Sequence, residues 1–148
     1  MRILVLDGPN LNLLGQREPD VYGTATLAEI EASVRRSAES LGVTVEFAQS
    51  NHEGALIDAL HAASGRFEGV LINPGALTHT SLALYDALLA IGLPAVEVHL
   101  SNLWRREDFR QHSRTGAATV GVVMGFGAAS YEWGLKALVA YVQGRSKT

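Results

Sequence analysis

Thr26-Leu27-Ala28-Glu29-Ile30-Glu31-Ala32-Ser33-Val34-Arg35-Arg36-Ser37-Ala38-Glu39-Ser40-Leu41-Gly42-Val43-Thr44-Val45-Glu46-Phe47 contains one complete switch from a helical to an extended period. Thr26 and Glu29 stand at the spacing that lets a hydroxyl and a carboxylate cap the first turn of a helix reciprocally. Leu27, Ile30, Val34, Ala38 and Leu41 then supply an apolar stripe, and Gly42 suits the left-handed stop. The apolar run 43–47 follows at once and reads as a strand. Working outward, similar short runs at 3–6, 70–72, 95–98 and 119–124 predict four more strands. Helical periods at about 53–64, 80–91 and 127–143 predict three further main helices. Strands and helices that alternate in this way belong to a parallel α/β sheet covered on both faces.

The expected architecture is therefore flavodoxin-like, three layers around a five-stranded parallel sheet. With 148 residues, 47% hydrophobic and 18% charged, the chain suits one domain spanning its whole length. A net charge of -3 and a pI near 5.9 argue against a surface built to neutralise phosphate backbones, so no nucleic-acid partner is expected. Cysteine is absent, which removes disulfides, thiolate metal sites and a thiol nucleophile, and makes the cytoplasm the expected compartment. The run 3–6 is too short for a signal core or a membrane span, and no membrane partner is expected. Repeats, low-complexity tracts and linkers are missing, and only the Ser146-Lys147-Thr148 tail reads as poorly anchored.

The segment from Gly8 to Gly23 is too long and polar for an ordinary strand-to-helix connection. Its stretch 15–23 reads as a flap, jointed at Gly15 and Gly23 and carrying Arg17, Glu18 and Tyr22; an ordinary surface loop is the plainer alternative. In open parallel sheets ligands bind beyond the carboxyl ends of the strands. Polar residues collect there: Asn10 and Asn12, Ser50 to His52, Asn73, and His99 with Ser101 and Asn102. Any one of them could merely cap a helix or fix a turn.

Glu97 and His99 are two apart in one strand and project to the same face, with Val96 and Val98 opposite. A buried carboxylate there needs a partner, and an imidazolium would serve. The expectation is that Glu97 orients His99 and favours its charged form as a general acid, although a self-satisfied polar pair is the bland possibility. A phenol acts as a base near pH 7 only where a cation stabilises its phenolate, a role Arg17 could play for Tyr22. His79, with Thr78, Thr80 and Ser81, either caps the next helix or binds ligand. The run Arg105, Arg106, Glu107, Asp108 and Arg110 is either a solvated turn or an anion site. Helix-terminal amides near Ser101 could add to such a site. Lys136 and Lys147 are the only lysines and neither is expected at a strand end, which leaves a Schiff-base mechanism without a placed amine. The five histidines show no close metal-binding spacing, and neither metal nor cofactor is expected.

The block Leu6-Asp7-Gly8-Pro9-Asn10-Leu11-Asn12-Leu13-Leu14-Gly15, followed by Arg17-Glu18-Pro19 and Tyr22-Gly23, resembles the opening of the type II 3-dehydroquinate dehydratases. Four later blocks agree: Gln49 to Gly54; Asn73-Pro74-Gly75-Ala76 with Thr78 to Ser81; Val96 to Asn102; and Arg106-Glu107, Phe109-Arg110 and His112-Ser113. The resemblance implies an anti elimination of water from 3-dehydroquinate to give 3-dehydroshikimate. In that reaction Tyr22, activated by Arg17, removes a C2 proton to form an enolate-like intermediate, and His99 protonates the leaving C1 hydroxyl. It further implies that Asn10 positions a water at the enolate oxygen, and that Glu97 orients His99. Asn73, His79, Arg110 and the backbone at Leu100 and Ser101 are implied substrate binders. Asp86 is implied to reach a neighbouring subunit's site in a homododecamer built from trimers. The sequence departs from the family's common pattern at Asp7, for which no chemical step is expected, and at Tyr85, which puts the contact around Asp86 in doubt. It also departs at Arg114-Thr115-Gly116, which weakens only the interface expectation.

Two rival readings come from other classes. Gly125-Phe126-Gly127-Ala128-Ala129-Ser130 follows a strand and opens a helix, as a nucleotide-binding loop does, but Ser130 stands where the third glycine belongs. A catalytically idle, oligomer-forming homologue would keep the same residues.

Overall fold

A computed structural model describes residues 1–146; Lys147 and the end of the expected loose tail lie outside the described residues. Five parallel strands, β1 (Arg2–Asp7), β2 (Thr44–Gln49), β3 (Gly69–Asn73), β4 (Ala95–His99) and β5 (Gly121–Met124), form one sheet in the order β2-β1-β3-β4-β5. The helices are a single turn, α1 (Pro19–Tyr22), then α2 (Leu27–Leu41), α3 (Glu53–Ala63), α4 (Leu82–Ile91) and α5 (Ala129–Arg145). Chain direction across the sheet reverses between β1 and β3, and that switch point is where an open α/β sheet leaves a crevice.

Alternation along the strands sorts the core into two layers. Ile3, Val5, Leu71, Val96 and Val98 face α2 and α5, where Ile30, Val34, Tyr131, Leu135 and Leu138 meet them. Leu4, Leu6, Val70, Ile72 and Ala95 face α3 and α4, against Leu56, Leu60, Leu84 and Leu88. Central strands β1 and β3 bury side chains on both faces, which is why they read as unbroken apolar runs.

The capping box forms as the sequence predicts. Thr26 Oγ1 accepts from the Glu29 amide at 3.2 Å, Glu29 Oε2 accepts from the Thr26 amide at 3.4 Å, and Gly42 closes the helix at φ 68°. Several expected boundaries move for local reasons. Strand β5 begins at Gly121 rather than 119, because Thr115–Ala118 winds into a 3-10 turn and the Thr119 hydroxyl ties that turn to Gly121. Helix α4 begins at Leu82, its first turn capped by Ser81 Oγ on the Leu84 amide. Helix α5 begins at Ala129, since Gly127 has a φ of 59° and cannot enter a right-handed helix. In the first turn of α5 the buried Ser130 accepts from the Phe126 amide, so its hydroxyl serves the preceding turn. The long segment after β1 contains a 3-10 turn at Leu11–Leu13 and the single-turn helix α1. No helix among the described residues is long and apolar enough to cross a membrane.

Candidate active site

Above the carboxyl ends of β1, β3 and β4 lies a cleft with a volume of about 110 Å³. The connections after β1 and β3 form one wall by packing tightly together. The Gly8 amide donates to the Asn73 carbonyl at 2.8 Å, and a Cβ on Gly8 would stand 2.4 Å from the Pro74 carbonyl oxygen, so only glycine lets the loops approach this closely. Asn10 is held in the left-handed region at φ 69°, its amide donating to Asn51 Oδ1 at 2.9 Å. That conformation leaves the Asn10 side chain at the cleft wall rather than on a cap.

The two-residue periodicity of β4 puts Glu97 and His99 side by side, as the sequence predicts. His99 Nε2 and Glu97 Oε1 are 2.9 Å apart, and a carboxylate can only accept, so Nε2 carries the shared hydrogen. Nδ1 is then the ring nitrogen left for chemistry. Glu97 is wholly buried beneath His99 and also receives the hydroxyls of Ser113 at 2.8 Å and Thr115 at 2.9 Å. Burial alone would push this carboxyl up, but the hydrogen bond and charge of His99, with the Ser113 and Thr115 hydroxyls, outweigh it and hold Glu97 below its ordinary value. The 3-10 turn after Arg114 thus belongs to the support beneath the imidazole, a role for Thr115 that the sequence did not announce.

Tyr22, at the end of α1, lines the same cleft. Arg17 lies over the ring, 5.0 Å from its centroid, and pairs with Glu18 at 3.0 Å. The group that reaches the phenol oxygen is Arg106: its Nη2 donates to Tyr22 at 3.3 Å while its Nη1 donates to Ser101 Oγ at 3.1 Å. Sequence reasoning did not single out Arg106, because it is one charge in a run that reads equally as a solvated turn or an anion site. Its partner Tyr22 lies 84 positions away.

His79 and Arg110 line the cleft, and so do Asn73, Leu100 and Ser101. His79 Nδ1 donates to the His112 carbonyl at 2.8 Å. Burial pushes this imidazole down; the carbonyl bond opposes the effect, and positive charge at His99 and Arg110 reinforces it. In a neutral ring with this tautomer Nε2 is an acceptor. Arg114 fixes the turn beneath it, donating from its amide to the Thr78 carbonyl and from Nε to the His79 carbonyl. Arg110 is steered by Glu107, which accepts from Nε at 2.6 Å. Asp86 is exposed on α4 and is not among the cleft-lining residues, and Lys136 lies on α5 against Trp133. Among the described residues no group of three or more His, Asp or Glu side chains converges to hold a metal ion.

Asp7 and Tyr131 were the other pair whose connection the sequence concealed. The signal was present in each half: an acid on a strand buried on both faces, and a phenol in an apolar helix stripe, both need a polar partner in the same layer. Tyr131 donates to Asp7 Oδ1 at 2.6 Å and accepts from Asn73 Nδ2 at 2.9 Å.

Known proteins share both the sequence and the shape. The family described as Dehydroquinase class II matches residues 1–139. A 3-dehydroquinate dehydratase of Gloeobacter violaceus is 55% identical over 147 residues, covering 99% of this chain and 92% of the relative. Its counterpart in Carboxydothermus hydrogenoformans is 58% identical over 145 residues, covering 98% and 94%. The crystal structure of the type II dehydroquinase from Butyrivibrio crossotus superposes with a TM-score of 0.91 at 41% identity, covering 93% of this chain and 97% of that one.

Proposed function

The chain belongs to the class II dehydroquinases and its reaction is the dehydration of 3-dehydroquinate to 3-dehydroshikimate; we propose that Tyr22 and His99 carry it as base and acid. The observation that supports this assignment is their placement on one cleft, with a guanidinium on the phenol oxygen and a buried carboxylate on the imidazole. The Tyr22 phenolate takes the C2 proton, and the released electron pair moves toward the C3 carbonyl to give an enolate-like species. Collapse of that species forms the C1–C2 double bond and expels the C1 hydroxyl, which takes a proton from His99 and leaves as water. The departure is anti to the proton removed.

Arg17 lies over the Tyr22 ring and Arg106 donates to its oxygen, so both guanidiniums stand against the group proposed as base. Asn10 positions a water at the enolate oxygen, and Glu97 holds the imidazole in place. Asn73, His79, Arg110, Leu100 and Ser101 bind the carboxylate and hydroxyls of the substrate, and the segment 15–23 closes over them. Acid and base both come from the chain itself, so the scheme calls for no metal or cofactor. Asp86, exposed on α4, suits a role at a neighbouring subunit's cleft in a homododecamer of trimers, and Tyr85 beside it gives that contact a phenol in place of a guanidinium. The chain acts as one cytoplasmic domain, in aromatic biosynthesis or quinate breakdown.

Ultraviolet absorbance of the conjugated enone tests the scheme directly. Chelator-treated protein should turn over 3-dehydroquinate, and Tyr22→Phe should lose activity by about two to four orders of magnitude while keeping its fold. Near-normal turnover by Tyr22→Phe would remove the base assignment.

A further inference from the structure

We propose that Asp7, acting through Tyr131, is a positioning residue that fixes which way the Asn73 side-chain amide faces, so that one of its N–H groups is presented to an acceptor oxygen of the substrate. The inference rests on the cleft being the 3-dehydroquinate site. Asp7 and Asn73 sit opposite one another in the β1–β3 register, both on the face that packs against α5. All three members of the chain are buried, with Asp7 1%, Tyr131 1% and Asn73 3% exposed.

The polarity of the chain follows from donor and acceptor capacity. Oxygen Oδ1 of Asp7 accepts at 2.6 Å, so the single hydrogen of the Tyr131 hydroxyl is committed to it. The phenol oxygen can then only accept from Asn73, at 2.9 Å, which places Nδ2 rather than Oδ1 of the amide on that side. Asn73 Oδ1 takes the Gly75 amide at 3.1 Å. An amide is nearly symmetric in shape, and these two contacts supply the electrical asymmetry that chooses one orientation. Nδ2 carries two hydrogens and Tyr131 takes one. Among the described residues no protein group takes the other, and Asn73 lines the cleft.

Asp7 Oδ2 is buried and has no hydrogen-bond partner among the described residues. It is therefore the oxygen that takes a proton when Asp7 is neutral, and Oδ1 accepts from Tyr131 in both states. Removing the carboxyl altogether has a different consequence. The Tyr131 hydroxyl would have Asn73 Oδ1 as its nearest acceptor, and a reversed amide would set Nδ2 against the Gly75 N–H and turn an oxygen toward the substrate.

The test is a kinetic double-mutant cycle on 3-dehydroquinate. Tyr131→Phe and Asn73→Ala should each raise KM about 10-fold with kcat within about 2-fold, because a ground-state binding contact is lost. The double variant should be no worse than Asn73→Ala alone. Asp7→Leu should match or exceed Tyr131→Phe, whereas Asp7→Asn, which keeps an accepting oxygen toward Tyr131, should hold KM near wild type. If Tyr131→Phe does not fold, the same cycle run with Asp7→Leu gives the answer. Effects that multiply in the double variant, or a wild-type KM in folded Tyr131→Phe, would overturn the positioning role while leaving the reaction intact. Absence of wild-type turnover would instead sink the reading of the cleft, and the positioning role with it.

Discussion

Replacing Asp7 by Asn should change how stability depends on pH, with a sign opposite to that of an ordinary paired carboxylate. Burial pushes the Asp7 carboxyl from 3.8 up to about 7; the Tyr131 hydrogen bond works against that rise and the Glu31 charge on α2 adds to it. Between these two values the folded protein holds a proton that the unfolded chain has released, so stability falls as pH rises. Asp7's contribution is therefore most favourable below the unfolded value near 4, declines across the interval, and reaches its full cost above about 7. A rise of about 3 units at 1.36 kcal/mol each corresponds to about 4 kcal/mol between the two ends. Asn stays neutral throughout and cannot contribute that slope. Urea unfolding of both proteins at pH 4, 5.5, 7 and 8.5, at one protein concentration, isolates the effect, because all other titrations are common to the pair. The stability of Asp7→Asn minus that of wild type should increase by about 2–4 kcal/mol from pH 4 to pH 8.5. A difference that stays flat, or that moves in favour of Asp7 with rising pH, would refute a buried carboxyl ionising at this cost.

Other perturbations probe the two walls of the cleft. A methyl group on Gly116 would stand 2.5 Å from Glu97 Oε2 and 2.9 Å from Ser113 Oγ, so Gly116→Ala should cost about 1–3 kcal/mol of stability and lower kcat about 10-fold. Unchanged melting and kinetics would show that the Glu97 seat can yield. Arg106→Lys keeps the charge but cannot span Ser101 and Tyr22 with a planar fork; kcat should fall about 10-fold, and full activity would dismiss the bridge as incidental. Glu97→Gln removes the charge that His99, Ser113 and Thr115 surround, and should lower kcat about 10- to 100-fold with KM little changed. A rise in KM alone would place Glu97 in substrate binding rather than beneath the acid.

What could be read in advance depended on how far apart the interacting residues lie along the chain. The Glu97–His99 pair was legible because both residues share one strand, and a period of two places them on one face whatever surrounds the strand. The capping box of α2 was legible for the same reason, since its whole geometry fits within one helical turn. Strand ends pointed to the cleft because a parallel sheet collects its carboxyl termini on one edge, and the order β2-β1-β3-β4-β5 opens the crevice beside β1. Arg106 was lost because its turn has no period to extrapolate: two successive 3-10 turns, Leu103–Arg105 and Asp108–Arg110, aim it, and the residue it meets is carried by a loop helix from the other end of the chain. Thr115 was lost in the same way, since it lies before the run that reads as β5 and its partner Glu97 is on another strand.

The Asp7–Tyr131 bond joins residues 124 positions apart, and no local pattern announces it. Polar satisfaction, rather than periodicity, is the principle that could have found it. A chain that buries an acid at the end of an interior strand must return a donor to it from the helix layer on that face. Among the described residues α2 and α5 are the helices that cover that face, and Tyr131, at the start of α5, is a buried residue with a hydroxyl to give. The same reasoning explains why the departure at Asp7 is not idle. A carboxyl that merely filled space there would be replaced at less cost by an apolar side chain, whereas this one commits the Tyr131 proton and thereby decides which face Asn73 turns toward the cleft.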